Sequence, residues 1–114
     1  MKKLLTAVML NIGVLFIAQQ TFTATFYSDY YEGRKAANGS IFRQSGLTAA
    51  SNVYKLGTKV KVTNATTGKS VTVKITDRLA KRFSHKIDLS KTAFRQIASL
   101  EKGYQKVIVE VVES

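Results

Sequence analysis

Two short runs of alternating residues, set back to back, most constrain what this chain can fold into. Lys59-Val60-Lys61-Val62-Thr63 alternates polar with β-branched apolar residues. Ser70 to Thr76 does so again, with Val71, Val73 and Ile75 on one side and Thr72, Lys74 and Thr76 on the other. Successive side chains leave a pleated strand on opposite faces, so a period of two marks a half-buried strand. Asn64-Ala65-Thr66-Thr67-Gly68 lies between the runs and reads as a hairpin loop, where Gly68 can take a positive φ at little cost. The middle of the chain is therefore a β-hairpin with an apolar face that needs cover.

The rest supplies that cover in short pieces. Thr23 to Tyr27 is β-prone, and Leu47 to Ala50 reads as a second short strand. Between them, Ser28 to Ser45 is polar, carries Gly33 and an Asn38-Gly39 pair, and reads as a long loop with turns. From Ser90 to Leu100 the spacing becomes helical, with Ala93, Phe94, Ile97 and Leu100 on one stripe. Ser90 suits the N-cap, because its hydroxyl can accept from a free helical N–H. Val107 to Val112 is nearly all apolar and reads as a final strand. Several short strands with one late helix fit a small barrel, without choosing its topology.

The first 20 residues read as an export signal. Lys2 and Lys3 precede a mostly apolar stretch from Leu4 to Ala18, shorter than the roughly 20 residues that span a membrane. Ala18, Gln20 and Ala24 are all candidate cleavage sites. One domain, residues 21–114, is expected to follow as a soluble, exported, monomeric protein of the periplasm or cell envelope. The sequence holds no cysteine, which excludes disulfides, thiolate metal sites and lipid attachment through cysteine. Stability must then come from one compact core. The formal charge is +11, of which Lys2 and Lys3 supply two. A basic surface attracts polyanions. For an exported chain, wall carboxylates are nearer to hand than nucleic acid, and no nucleic-acid-binding motif occurs.

Three segments together carry a resemblance. The loop Gly33-Arg34-Lys35-Ala36-Ala37-Asn38-Gly39-Ser40-Ile41-Phe42, the step Thr48-Ala49-Ala50-Ser51, and the strand ending in Asp77-Arg78 and followed by Ile87-Asp88-Leu89-Ser90 stand in a fixed order. In that order they resemble the RlpA-like domain of septal lytic transglycosylases, from about Ala24 to Val112. The resemblance implies a mostly β fold: a small six-stranded double-psi β-barrel with one α-helix in the C-terminal half. It also implies endolytic cleavage of peptidoglycan glycan strands, preferably strands without stem peptides. The family's usual glutamate falls on Ser40 and its histidine on Ser51, and the Gly-Pro after the arginine is replaced by Leu79-Ala80. Only the aspartate is kept, as Asp77.

The chemistry explains why that matters. A lytic transglycosylase protonates the leaving oxygen and lets the muramyl 6-hydroxyl attack the same carbon, giving a 1,6-anhydro end. One carboxyl group can serve as acid and then as base, provided its pKa is raised. A nucleophilic carboxylate is not needed, because the nucleophile belongs to the substrate. Asp77 is the catalytic candidate. Arg78 beside it is expected on the opposite strand face. Ser40 and Ser51 cannot titrate near neutral pH but could hydrogen-bond sugar hydroxyls. Tyr30 and Tyr31 are candidates for a groove wall, with Tyr27 in the core. Asn38 either offers its amide to a sugar or forms the turn with Gly39. Asp88 either sits at a polysaccharide groove, as a similar aspartate does in expansins, or orders the turn into the helix. Glu32 is a displaced second carboxylate or a solvated loop charge. His85, the single histidine, is expected to be exposed and makes no metal site alone. No metal or cofactor is expected. The alternative function is a non-catalytic, expansin-like barrel that binds wall glycan.

Overall fold

The computed structural model describes residues 19–113. The expected export signal lies outside the described residues, except that Gln19 and Gln20 open the first strand. The central hairpin forms as its alternation requires. Strand β3 (Lys59–Asn64) pairs antiparallel with β4 (Ser70–Asp77), placing Val60 opposite Val73 and Val62 opposite Val71. Gly68 in the connecting loop has φ +79°, the left-handed conformation expected of it.

Four more strands close this hairpin into a barrel: β1 (Gln19–Phe26), β2 (Thr48–Ala50), β5 (Lys86–Leu89) and β6 (Gln105–Glu113). The order around the barrel is β1-β5-β2-β4-β3-β6. Strands β1 and β5 are parallel, as are β2 and β4, and the remaining pairs are antiparallel. Closure leaves no free sheet edge. Six strands and a late helix match the expected double-psi barrel.

The inward residues are those the alternation selects. Phe22 and Ala24, Val60 and Val62, Val71 and Val73, Ile87 and Leu89, and Val107 and Val109 fill the interior with Ile75 and Ala49. A helix, α1 (Lys91–Arg95), packs Ala93 and Phe94 against the same core, and Ile97 follows them. Ser90 caps it, its Oγ accepting from the Ala93 N–H at 3.1 Å.

Three sequence expectations are corrected. First, Lys86–Leu89 is a strand, β5, where a turn into the helix was one reading. It is short, yet it bonds to β1 on one side and β2 on the other. Second, the helix ends at Arg95 rather than Leu100. Beyond Arg95 the N–H groups of Gln96 and Ile97 reach carbonyls three residues back, tightening the coil. Asn64 Nδ2 then takes the Ile97 carbonyl at 2.7 Å. The apolar stripe survives, but not the regular helix. Third, Thr76 was expected on the outward face and is buried. The cause is a bulge that also builds the site. Among the described residues, no helix is long and apolar enough to cross a membrane.

Candidate active site

Strand β2 is the keystone of the site. It is only three residues long and lies between β4 and β5. Ala50 has Asp77 of β4 as its register partner on one side and Asp88 of β5 on the other. Thr25 of β1 lies opposite Asp88. Thr25, Asp88, Ala50 and Asp77 therefore form one row across four strands.

The bulge completes this row. Ala49 lies opposite Ile75, but Ala50 lies opposite Asp77, so Thr76 is the extra residue. Plain alternation from the inward Ile75 would send Asp77 into the barrel core. One inserted residue turns it to the outer face beside Asp88, at the cost of tucking Thr76 inside. Two aspartates eleven positions apart in sequence thus meet across one alanine.

They border a groove of about 300 Å³, whose lining also includes Tyr27, Tyr31, Leu79, Phe83 and Lys86. Asp77 is held on three sides. Its Oδ2 accepts from the Tyr27 hydroxyl at 3.0 Å, and its Oδ1 accepts from the N–H groups of Ala37 and Arg78, each at 2.9 Å. Tyr27 is stacked on Phe42, ring centroids 4.0 Å apart, in a small outer cluster with Ala50. Burial first, and then the Asp77 charge, pushes the Tyr27 hydroxyl far above the usual phenol range. It therefore stays a donor to Asp77 at any ordinary pH.

Asp88 sits in a different setting. It is half-buried, and among the described residues its one side-chain partner is Thr25, whose Oγ1 donates to Oδ1 at 2.8 Å. Burial raises its pKa above the ordinary carboxylate value. The Thr25 hydrogen bond and the Lys86 charge act against that rise, while the Asp77 charge adds to it.

The other sequence candidates divide. Arg78 does turn away from the Asp77 carboxylate: its Nη1 donates to the carbonyls of Ser51 and Tyr54, each at 2.6 Å. Tyr31 forms part of the groove wall. Tyr30 does not line the groove. It is exposed and carries the Arg34 guanidinium over its ring at 4.0 Å. Asn38 and Ser40 lie outside the groove in the tip of the long loop, where Asn38 Oδ1 accepts from the Ser40 N–H and hydroxyl. That turn is pinned to the site by its backbone, through Asn38 N–H to the Thr76 carbonyl at 3.1 Å. Ser51 is fully buried. Its Oγ accepts from the Val53 N–H at 3.0 Å and its own N–H donates to the Asp77 carbonyl at 3.0 Å, so it braces the strand end rather than facing the groove. Glu32 braces the loop base, accepting from Gln44 N–H at 2.8 Å and pairing with Arg43. His85 is exposed, edge-on to Phe22.

Sequence reasoning missed the Tyr27 hydroxyl, Phe83 and Lys86. Tyr27 read as core, and it is buried, but its hydroxyl reaches Asp77. Lys86 had a usable signal: it stands two residues before Asp88, hence on the same strand face. Among the described residues, no cluster of three potential ligands could hold a metal ion.

Residues 20–109 match the family model described as lytic transglycolase. The chain belongs to that family. A Synechocystis protein of uncharacterized function is 47% identical over 81 residues, which cover 71% of this chain and 86% of that protein. The endolytic peptidoglycan transglycosylase RlpA of Rickettsia bellii is 36% identical over 104 residues, covering 85% of this chain and 46% of that one. Its Campylobacter jejuni counterpart is 37% identical over 89 residues, covering 78% and 32%. This lytic transglycolase domain thus spans less than half the length of each of these two transglycosylases. Among solved structures, the Streptomyces papain inhibitor superposes with a TM-score of 0.68 at 23% identity, covering 83% of this chain and 94% of that one. A mutant Clavibacter michiganensis expansin in complex with cellohexaose gives 0.63 at 21% identity, covering 83% and 50%. At those identities the likeness is one of fold alone.

Proposed function

We propose that this domain is an endolytic lytic transglycosylase of peptidoglycan glycan strands, acting on strands without stem peptides, and that Asp88 is its acid and base. The observation that carries this reading is the row Asp88–Ala50–Asp77 at the floor of a groove, with a raised pKa on Asp88. The sequence placed the acid on Asp77. The geometry favours Asp88 instead. Among the described residues, Asp77 has three donors committed to its two oxygens, while Asp88 has one side-chain partner and a setting that favours the protonated form.

In the proposed reaction Asp88 protonates the glycosidic oxygen of the leaving sugar. The muramyl 6-hydroxyl then attacks the same carbon and gives its proton to the Asp88 carboxylate, which restores the acid. The bond broken is C1–O4 and the bond formed is C1–O6, with no water consumed. Asp77 orients the Tyr27 hydroxyl and the Ala37–Gly39 turn, and its charge helps keep Asp88 protonated. Tyr31 and Phe83 supply faces for sugar rings. Export to the cell envelope belongs to the same proposal. Cleavage after Ala18 would leave β1 whole, whereas cleavage after Ala24 would remove Phe22 from the core.

A second reading has one specific observation behind it. Neither position where the family carries a titratable glutamate or histidine holds one here, and Ser51 is buried away from the groove. The domain would then bind wall glycan without cutting it. Mass spectrometry of peptide-free strands incubated with wild type, Asp88→Asn and Asp77→Asn decides between them. New 1,6-anhydro-muramyl ends from wild type, lost in Asp88→Asn, support the proposal. Loss in Asp77→Asn with Asp88→Asn still active returns the acid to Asp77. Binding without product from wild type favours the second reading.

A further inference from the structure

The groove does not end at Asp88. Along β5, Lys86 precedes Asp88 by two residues and shares its outward face. Lys86 lies opposite Thr23 of β1, and Thr23 lies opposite Lys106 of β6. Lys86, Thr23 and Lys106 thus form a second row, parallel to the row of aspartates and about 7 Å from it along the strands. Lys86 borders the groove, with its Nζ held over the Phe83 ring at 4.4 Å. Thr23 and Lys106 border a neighbouring hollow of about 410 Å³ whose other walls include Tyr104 and His85. The Tyr104 ring is exposed and stands between this hollow and another of about 290 Å³, with Lys102 on its far side. On the same strands, Asp88 stands one row on along β5, and Glu110 stands four residues further along β6.

We propose that this second row is a sugar subsite for a carboxylate-bearing residue of the strand, with Lys86 and Lys106 flanking the acid and Tyr104 stacking a neighbouring ring. The inference rests on the glycan reading above and extends the path of the strand beyond the reacting sugars. Two observations choose the occupant. The surface continues directly from the groove through Lys86, and its charge is opposite to that of a lactyl carboxylate. An uncharged polysaccharide could hydrogen-bond to these groups but would gain no ion pair from the two lysines. Lys106 and Tyr104 are exposed, so replacing either leaves the core untouched.

The test is binding of the purified protein to peptide-free glycan strands in two forms, with the lactyl carboxylates free or methyl-esterified. Lys106→Gln should weaken binding of the free-acid strands by about threefold, the order of one exposed ion pair, and leave the esterified strands unaffected. Tyr104→Ala should weaken both forms alike, because ring stacking ignores the carboxylate. Equal loss on both forms in Lys106→Gln, or no loss on either, overturns the carboxylate subsite. Unchanged binding in Tyr104→Ala removes the hollow from the strand's path. If wild type binds neither form, the glycan reading itself falls. If it binds both but makes no anhydro ends, only the cutting falls and the subsite stands.

Discussion

Asp88 carries a cost that can be measured. Its pKa is raised in the folded protein, chiefly by burial, so folding favours its protonated form. Stability from that group is fully present below the unfolded carboxylate pKa and is lost as pH rises through the folded value. Asp88→Asn mimics the protonated form and keeps an acceptor for the Thr25 hydroxyl. It should match wild type at about pH 3 and be the more stable of the two at about pH 7. Urea melts at both values check this, and a variant less stable than wild type at neutral pH would mean that Asp88 holds the fold rather than strains it. At this scale the sequence was a partial guide. It singled out both aspartates, but the donors around Asp77 come from residues 27, 37 and 78. Only folding brings them to one carboxylate.

Among the elements, the central hairpin and the C-terminal helix depend on each other through Asn64. Its Oδ1 accepts from Thr66 and Thr67 N–H at 2.8 and 3.1 Å, which sets the hairpin turn. Its Nδ2 donates to the Ile97 carbonyl past the helix end. Asn64 is buried, so Asn64→Ala leaves three polar groups short of partners. The expected loss is about 2–3 kcal/mol, read from the shift of the urea midpoint at unchanged slope. A loss within about 0.5 kcal/mol would mean that water replaces the side chain at this corner. The sequence marked Asn64 as a turn residue and nothing more, since its second partner lies 33 residues on. The bulge at Thr76 was equally hidden. Alternation runs unbroken from Val71 to Thr76, and only the pairing of β4 with β2 shows the slip.

Across the whole molecule, β1 is the closing stave. It bonds to β5 on one side and β6 on the other, and it sends Phe22 and Ala24 into the core. A protein beginning at Gln19 should therefore fold cooperatively. One beginning at Thr25 should not, because it loses every pairing with β6, half of those with β5, and a core phenylalanine worth about 3–5 kcal/mol by itself. Circular dichroism melts of the two proteins decide this, and a sharp transition in the shorter one would show that the barrel closes without its first strand. The same measurement bears on where an export signal could be cut, since only a cut before β1 leaves the barrel complete.

The sequence by itself determined the strand faces and most of the core. Period-two alternation in β3 and β4, the apolar run of β6 and the stripe through Ala93, Phe94 and Ile97 are local patterns, and local patterns survive reading one residue after another. The resemblance carried by the Gly33–Phe42 loop, the Thr48–Ser51 step and Asp77-Arg78 supplied the topology that alternation could not. Tertiary structure alone decided the site. Ala50 between two aspartates, the bulge that turns Asp77 outward, the Tyr27 hydroxyl and the burial of Ser51 all depend on pairings between strands distant in sequence. A three-residue strand such as β2 has too few residues to signal its own register. Its partners fix it, and with it the spacing of the two carboxyl groups on which the proposed chemistry rests.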